Sequence, residues 1–306
     1  MIVVPSVLQA FRDRRSRRAA GFRELYAPWR VSRQLCGLRS RPRSSGEPFR
    51  FAVLGDAEPG RFWVARRLFN TPGVFERQLR SIEREGVDFC VQLGDMVSRG
   101  SRRNYERFFA DLARWRLSFP YLPVIGNHDR RYPHGRSDCA VFREAFGKTD
   151  YAFDRGAARF VVLDTSARSL SRPQFRWLDR VLRADRLKCV FTHFPPAPLN
   201  RWTGLGPARG IVGLRRDGRA LTELFQRRGV HRVYVGHIHA FGVQDYLGVR
   251  YILTGGGGSP LYPNWIEDRY HHYVVACVGP DGISDTLRCA DGRSLPIPRS
   301  PVLLSR

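Results

Sequence analysis

The chain has 306 residues, 42% of them apolar, which is enough for one large α/β domain or two small ones around a hydrophobic core. No run of about 18 apolar residues is present, so no transmembrane helix is expected. The formal net charge is +24, and all but Lys148 and Lys188 of the 52 basic residues are Arg. These arginines are spread along the chain, which favours a compositional bias over a dedicated nucleic-acid surface; the run Arg12 to Arg18 is the exception.

Residues 1–48 read as a basic N-terminal extension, flexible or partly helical, that closes in the linker-like "RSRPRSSGEP". Its apolar stretch precedes the basic cluster, the reverse of a secretory signal. A short basic amphipathic helix there would suit nucleic acid or an anionic membrane surface; the competing reading is a poorly ordered extension. The six cysteines form no C-x-x-C pair, which argues against a zinc ribbon. Cys90, Cys189 and Cys277 sit in apolar runs as small core residues, which fits a reducing compartment, and a cytoplasmic location is expected.

From Phe49 a regular pattern begins. A strand over Phe51 to Leu54 reaches Gly55-Asp56, and Thr71-Pro72 is expected to open a helix whose apolar stripe includes Val74, Leu79 and Ile82, closed by Gly86. The run "VDFCVQLGD" is a buried strand ending at Gly94-Asp95, a helix covers about Arg103 to Trp115, and "YLPVIGNHD" is a strand ending at Gly126 to Asp129. A short helix (Cys139 to Phe146) leads to a hairpin turning at Asp154 to Gly156. A helix starting at Pro173, a strand ending at His193, a helix near Ala220 to Arg228 and a strand ending at Gly236-His237 follow. Further strands complete a domain over residues 49–292, with 293–306 as a tail. Alternating strands and helices followed by added strands predict one α/β domain with a pair of mixed sheets.

Five strand ends carry Asp56, Asp95, Asn127-His128, His193 and His237. Any one of them alone is more often a turn residue or a satisfied core residue. Carboxyl ends of strands in α/β sheets open on a shared crevice, so five together can meet in one place, and His239 can reach it from two residues beyond His237. Mixed carboxylate, amide and imidazole ligands suit Mn, Fe, Zn, Co or Ni.

The stretches "GDAE", "GDMVSRG", "GNHD", "FTHFPP" and "GHIH", in that order, resemble the motif set of the calcineurin-like metallophosphoesterase family. Supporting stretches carry the resemblance from about Phe51 to Val278. It implies a layered α/β fold of two mixed β-sheets packed together and flanked by helices. It also implies hydrolysis of phosphate mono- or diesters by a hydroxide bridging two metal ions. Asp95 would bridge the ions. Asp56 and His239, with position 58, would complete one ion's shell; Asn127, His193 and His237 would hold the other. His128 would face the substrate as a hydrogen-bond or proton donor, oriented by Asp129. Arg99 matches a phosphate-binding Arg of the protein-phosphatase branch, although that branch has Asp where this chain has Ser98. The substrate would be a phosphorylated small molecule or other phosphoester. A non-catalytic or single-metal member binding nucleic acid or a membrane surface is the alternative.

One position departs from the family pattern, which has His where this chain has Glu58. Glu58 can ligate the first ion, bond a metal-bound water, or mark a decayed site. As a ligand it would make a hard, carboxylate-rich shell, so Mn or Fe is favoured, with Zn or Mg as alternatives. The segment from Ala197 to Arg219, rich in Gly and Arg, reads equally as a phosphate-facing rim or as a surface loop.

Overall fold

Two mixed six-stranded sheets lie face to face, and the computed structural model describes them through residues 21–57, 73–132, 137–196, 213–214, 216–261 and 270–297. The first contains β1 (Phe49–Leu54), β2 (Phe89–Gln92), β3 (Tyr121–Pro123), β10 (His272–Gly279), β11 (Gly282–Cys289) and β12 (Ser294–Ile297), in the order β12-β11-β10-β1-β2-β3. The second contains β4 (Tyr151–Arg155), β5 (Ala158–Leu163), β6 (Leu187–Thr192), β7 (Arg232–Val235), β8 (Phe241–Tyr246) and β9 (Val249–Thr254), in the order β4-β5-β6-β7-β9-β8. β1, β2 and β3 run parallel, as do β5, β6, β7 and β9.

Aromatic side chains weld the sheets together. Phe51 stacks on Phe89 in its own sheet at 5.2 Å and meets Phe160 and Tyr234 of the other sheet edge-on at 5.2 and 5.9 Å. These rings are fully buried, and edge-to-face contact aligns ring edges with ring faces. Tyr234 Oη donates to Asp285 Oδ1 at 2.6 Å, and Arg232 Nε donates to Asp285 Oδ2 at 2.8 Å, so a buried charge also pairs across the layers. Outside the second sheet, α5 (Arg172–Val181) and α6 (Gly218–Arg227) bury Leu178, Leu221, Leu224 and Phe225. Ser171 and Gln174 form a capping box at the start of α5.

The first sheet is covered by α2 (Val74–Arg84) and α3 (Arg102–Trp115), and α4 (Ala140–Phe146) packs beside them. Gly73 (φ 71°) stands at the N-cap of α2. The start expected at Thr71-Pro72 lies outside the described residues, as do Glu58 and nearly all of the Ala197 to Arg219 segment.

Residues 21–48 pack into this layer, so the division expected at residue 48 does not follow the packing. Residues 21–26 are helical, Ala27–Trp29 is a 3-10 turn and α1 is Val31–Arg39. Phe22, Tyr26, Trp29, Leu35 and Leu38 are buried in the main core, with Phe22 6.2 Å from Phe109 and Trp29 6.2 Å from Tyr121. The physical reason is the apolar periodicity of Phe22, Tyr26 and Trp29, then Leu35 and Leu38, which a charge-based reading overlooks. Arg155 of β4 fixes the far end: its Nη1 donates to Leu38 O at 3.0 Å and its Nε to Asp88 Oδ2 at 2.7 Å, while Arg43 Nη2 meets Asp88 Oδ1 at 3.0 Å. β12, in the expected tail, pairs antiparallel with β11. Among the described residues, no helix is long and apolar enough to cross a membrane.

Candidate metal centre

Register brings the polar strand ends together. Leu54 pairs with Gln92 and Gln92 with Pro123, so Asp56, Asp95 and Asn127 leave the first sheet side by side. Thr192 pairs with Val235, so His193 and His237 leave the second sheet side by side. Gln92 locks the turns: its Nε2 donates to Gly55 O and Gly94 O, both at 2.8 Å, and its Oε1 accepts from Gly94 N at 3.1 Å. Asp95 (φ 51°) and His237 (φ 68°) sit in the left-handed region, where non-glycine residues are uncommon, so local strain is concentrated on two candidate ligands. Gly126 permits the closest approach; a Cβ there would lie 2.1 Å from Asp95 Oδ1.

Four donor atoms converge around His193, which is fully buried. Its Nδ1 donates to Leu93 O at 2.8 Å, which directs its Nε2 at Asn127 Oδ1 (3.0 Å), His237 Nδ1 (3.2 Å) and Asp95 Oδ2 (3.4 Å). Ligand atoms gathered at such distances call for positive charge among them, a proton on His193 or a bound cation. Asp95, His193 and His237 form a three-residue group with ligand atoms within 4.8 Å of one another. A second set adjoins it: His239 Nδ1 donates to Pro260 O at 2.7 Å, so its Nε2 faces Asp56 Oδ1 at 3.8 Å. The Asp56 carboxylate accepts from His237 N at 3.0 Å, and its Oδ1 lies 3.9 Å from His193 Nδ1. The donor types and spacings fit a metal centre, with second partners fixing each imidazole tautomer.

Electrostatics agree. Burial pushes the Asp56 carboxyl well up, partly offset by His193. Burial also opposes ionisation of Asp95, but His193 and its neighbouring imidazoles outweigh it and hold that carboxyl below the usual range. His193 resists the effect of its own burial because Asp95 and Asp56 flank it, and it is raised to about 9. Burial lowers His239 to about 4 and, with the neighbouring His193, holds His237 well down. The cluster therefore favours one positive charge at His193 and neutral imidazoles elsewhere.

The expected orienting bond between Asp129 and His128 is replaced by another arrangement. His128 Nδ1 lies 3.0 Å from Ser98 O, and its backbone N donates to Asp95 Oδ1 at 2.8 Å. Asp129, fully buried, instead accepts from Gly126 N (2.8 Å), Met96 N (3.0 Å) and Val97 N (3.3 Å), tying the second motif loop to the third. The reason is position: three N–H groups of two loops already surround the carboxylate. Burial and the charge on Asp95 raise the Asp129 carboxyl to about 7. Arg99 is exposed, donates from Nε to Arg131 O at 2.9 Å and lies 4.7 Å over the Tyr132 ring, away from the converging ligands. Gln92, Gln78 and the carbonyls of Ser98 and Pro260 escaped the sequence reading; the one signal was the polar Gln92 inside the apolar run of its strand, while Gln78 lies in the charged stretch "FERQLRSIER".

The family model described as calcineurin-like phosphoesterase matches residues 49–241. A nucleotide pyrophosphatase/phosphodiesterase from Hordeum vulgare is 24% identical over 254 residues, covering 66% of this chain and 68% of that protein. Purple acid phosphatase PPD1 from Lupinus luteus superposes with a TM-score of 0.63 at 18% identity, covering 84% of this chain and 55% of the lupin chain. A dimetal phosphatase from Danio rerio superposes with a TM-score of 0.58 at 20% identity, covering 83% of this chain and all of the other. These two likenesses show the layered fold, and the present chain spans only about half of the lupin protein. With the family match extending over more than half of its length, the chain belongs to the calcineurin-like phosphoesterase family.

Proposed function

We propose that this protein hydrolyses phosphate esters at a two-metal centre. The observation that carries the reading is the convergence of ligand atoms from Asp95, Asn127, His193 and His237 beside a second pair, Asp56 and His239. Asn127, His193 and His237 would hold one ion, Asp56 and His239 the other, and Asp95 would reach both. Cations bound there supply the charge that offsets an anionic phosphoester and the Lewis acidity that makes hydroxide available near neutral pH.

The chain's own groups set the geometry. Leu93 and Pro260 carbonyls hold His193 and His239 in single tautomers. Ser98 O holds His128 by Nδ1, and His128 would serve the phosphoryl or leaving oxygen as hydrogen-bond or proton donor. Glu58 would favour Mn or Fe at the first ion by supplying a third carboxylate there. Arg99 is not part of this proposal in the conformation described.

The similar proteins, a pyrophosphatase/phosphodiesterase and two phosphatases by name, support phosphoester chemistry and span both ester classes. The test is turnover of p-nitrophenyl phosphate and bis-p-nitrophenyl phosphate with Mn, Fe, Zn and Mg in turn. Hydrolysis of either ester with Mn or Fe is expected. Absence of turnover with every metal would remove the catalytic reading, and two tightly bound zinc ions in purified protein would contradict the hard-metal preference.

A further inference from the structure

Asp56 and His239 come from different sheets, so something must fix their separation. The turn after β9 does this. Ser259 N donates to Asp56 O at 3.1 Å, and Pro260 O accepts from His239 Nδ1 at 2.7 Å. The same turn lies against the strand end that carries Asp56: a Cβ at Gly257 would stand 2.4 Å from Gly55 O. Backbone of residues 255–260 therefore touches both groups assigned to the first ion.

The turn has its own anchor on α2. Gln78 Nε2 donates to Gly256 O at 2.9 Å and to Gly257 O at 3.2 Å. Gln78 is buried, among Val74, Phe75, Leu79 and Ile82 on the inner face of that helix. A buried amide on an apolar face is costly without hydrogen bonds, and both donor hydrogens here go to consecutive carbonyls of one turn. A leucine would satisfy the helix equally well. What the amide adds is a fixed position for the turn.

We propose that Gln78 is a positioning residue for the first metal ion, acting through residues 255–260 on Asp56 and His239. The proposal rests on the two-ion reading above. It predicts a defect larger at the first ion than at the second, because the turn reaches His193 and His237 only by way of Asp56.

The experiment measures Mn bound per chain, and the affinity of each ion, by equilibrium dialysis with elemental analysis. Gln78→Met keeps the length and removes both donors. Gln34→Met is the control: Gln34 also braces backbone, through Pro28 O (2.7 Å) and Tyr121 N (2.8 Å), but at the opposite end of the strands. In Gln78→Met one of the two ions is expected to lose affinity by about 10-fold or more while the other is retained, the range seen when groups behind metal ligands are removed. Gln34→Met should lower the melting temperature and still bind both ions as wild type does. If Gln78→Met does not fold, Gln78→Asn withdraws the same donors by one methylene and reads the same quantity. Equal affinity for both ions in the folded Gln78 variant and wild type would overturn the inference alone, as would an identical defect in Gln34→Met. Fewer than two ions in wild type would overturn the two-ion reading and this inference with it.

Discussion

At the scale of single residues, His193 has the clearest consequence. Asp95 and Asp56 hold its pKa near 9 despite burial, so in protein stripped of metal it is protonated at pH 7. Its folded value lies above the ordinary value, so the stability it contributes is complete below about pH 6.5 and is lost as pH rises through about 9. A ligand must present the neutral Nε2 lone pair, so metal uptake at pH 7 releases a proton and tightens as pH rises toward 9. Calorimetric titration of stripped protein with Mn in buffers of different ionisation enthalpy should show net proton release; heats independent of buffer would contradict this. Asp129 belongs to the same scale. Asp129→Asn places an amide where Gly126 N–H now donates, and should destabilise the fold by about 1–3 kcal/mol in urea unfolding. An unchanged unfolding midpoint would contradict its role as a loop brace.

At the scale of elements, the strand ends were legible in the sequence because their signal is local: an apolar run, a glycine (Thr192 before His193), then a metal-competent side chain. Helix ends were legible where their signals are local, as at Gly86 (φ 63°) after α2 and Pro173 in the first turn of α5. Contacts between elements left no local trace. Nothing near His128 says that Ser98 O will hold it, and nothing near Asp129 says that two loops will share its carboxylate. Asp88 is such a contact, since it joins Arg43 and Arg155 at the point where the N-terminal helices meet both sheets. Its side chain is only 7% exposed. Asp88→Ala would leave buried Arg155 without its counter-ion and should cost about 3 kcal/mol in chemical denaturation. A loss below about 0.5 kcal/mol, typical of surface substitutions, would show the pair to be incidental.

At the scale of the whole molecule, the N-terminal region changes meaning. Its charge suggested an arm, yet residues 21–39 supply Phe22, Tyr26, Trp29, Leu35 and Leu38 to the main core. Removing residues 1–48 should therefore lower stability by several kcal/mol, since each such side chain contributes about 1.5–3 kcal/mol on burial. A deletion of residues 1–20 retains those five side chains and is the better variant for asking whether the basic run Arg12 to Arg18 binds polyanions. In the proposed two-metal centre Asp95 would serve both ions. The most direct measurement is therefore on Asp95→Asn, with bound metal and turnover of bis-p-nitrophenyl phosphate and p-nitrophenyl phosphate read on the same Mn-loaded samples. Wild type should bind two ions per chain and turn over at least one ester, and Asp95→Asn should lose both ions with activity falling by orders of magnitude. A folded Asp95→Asn that keeps two ions, or whose rate stays within about tenfold of wild type (1.4 kcal/mol), would contradict the two-metal account.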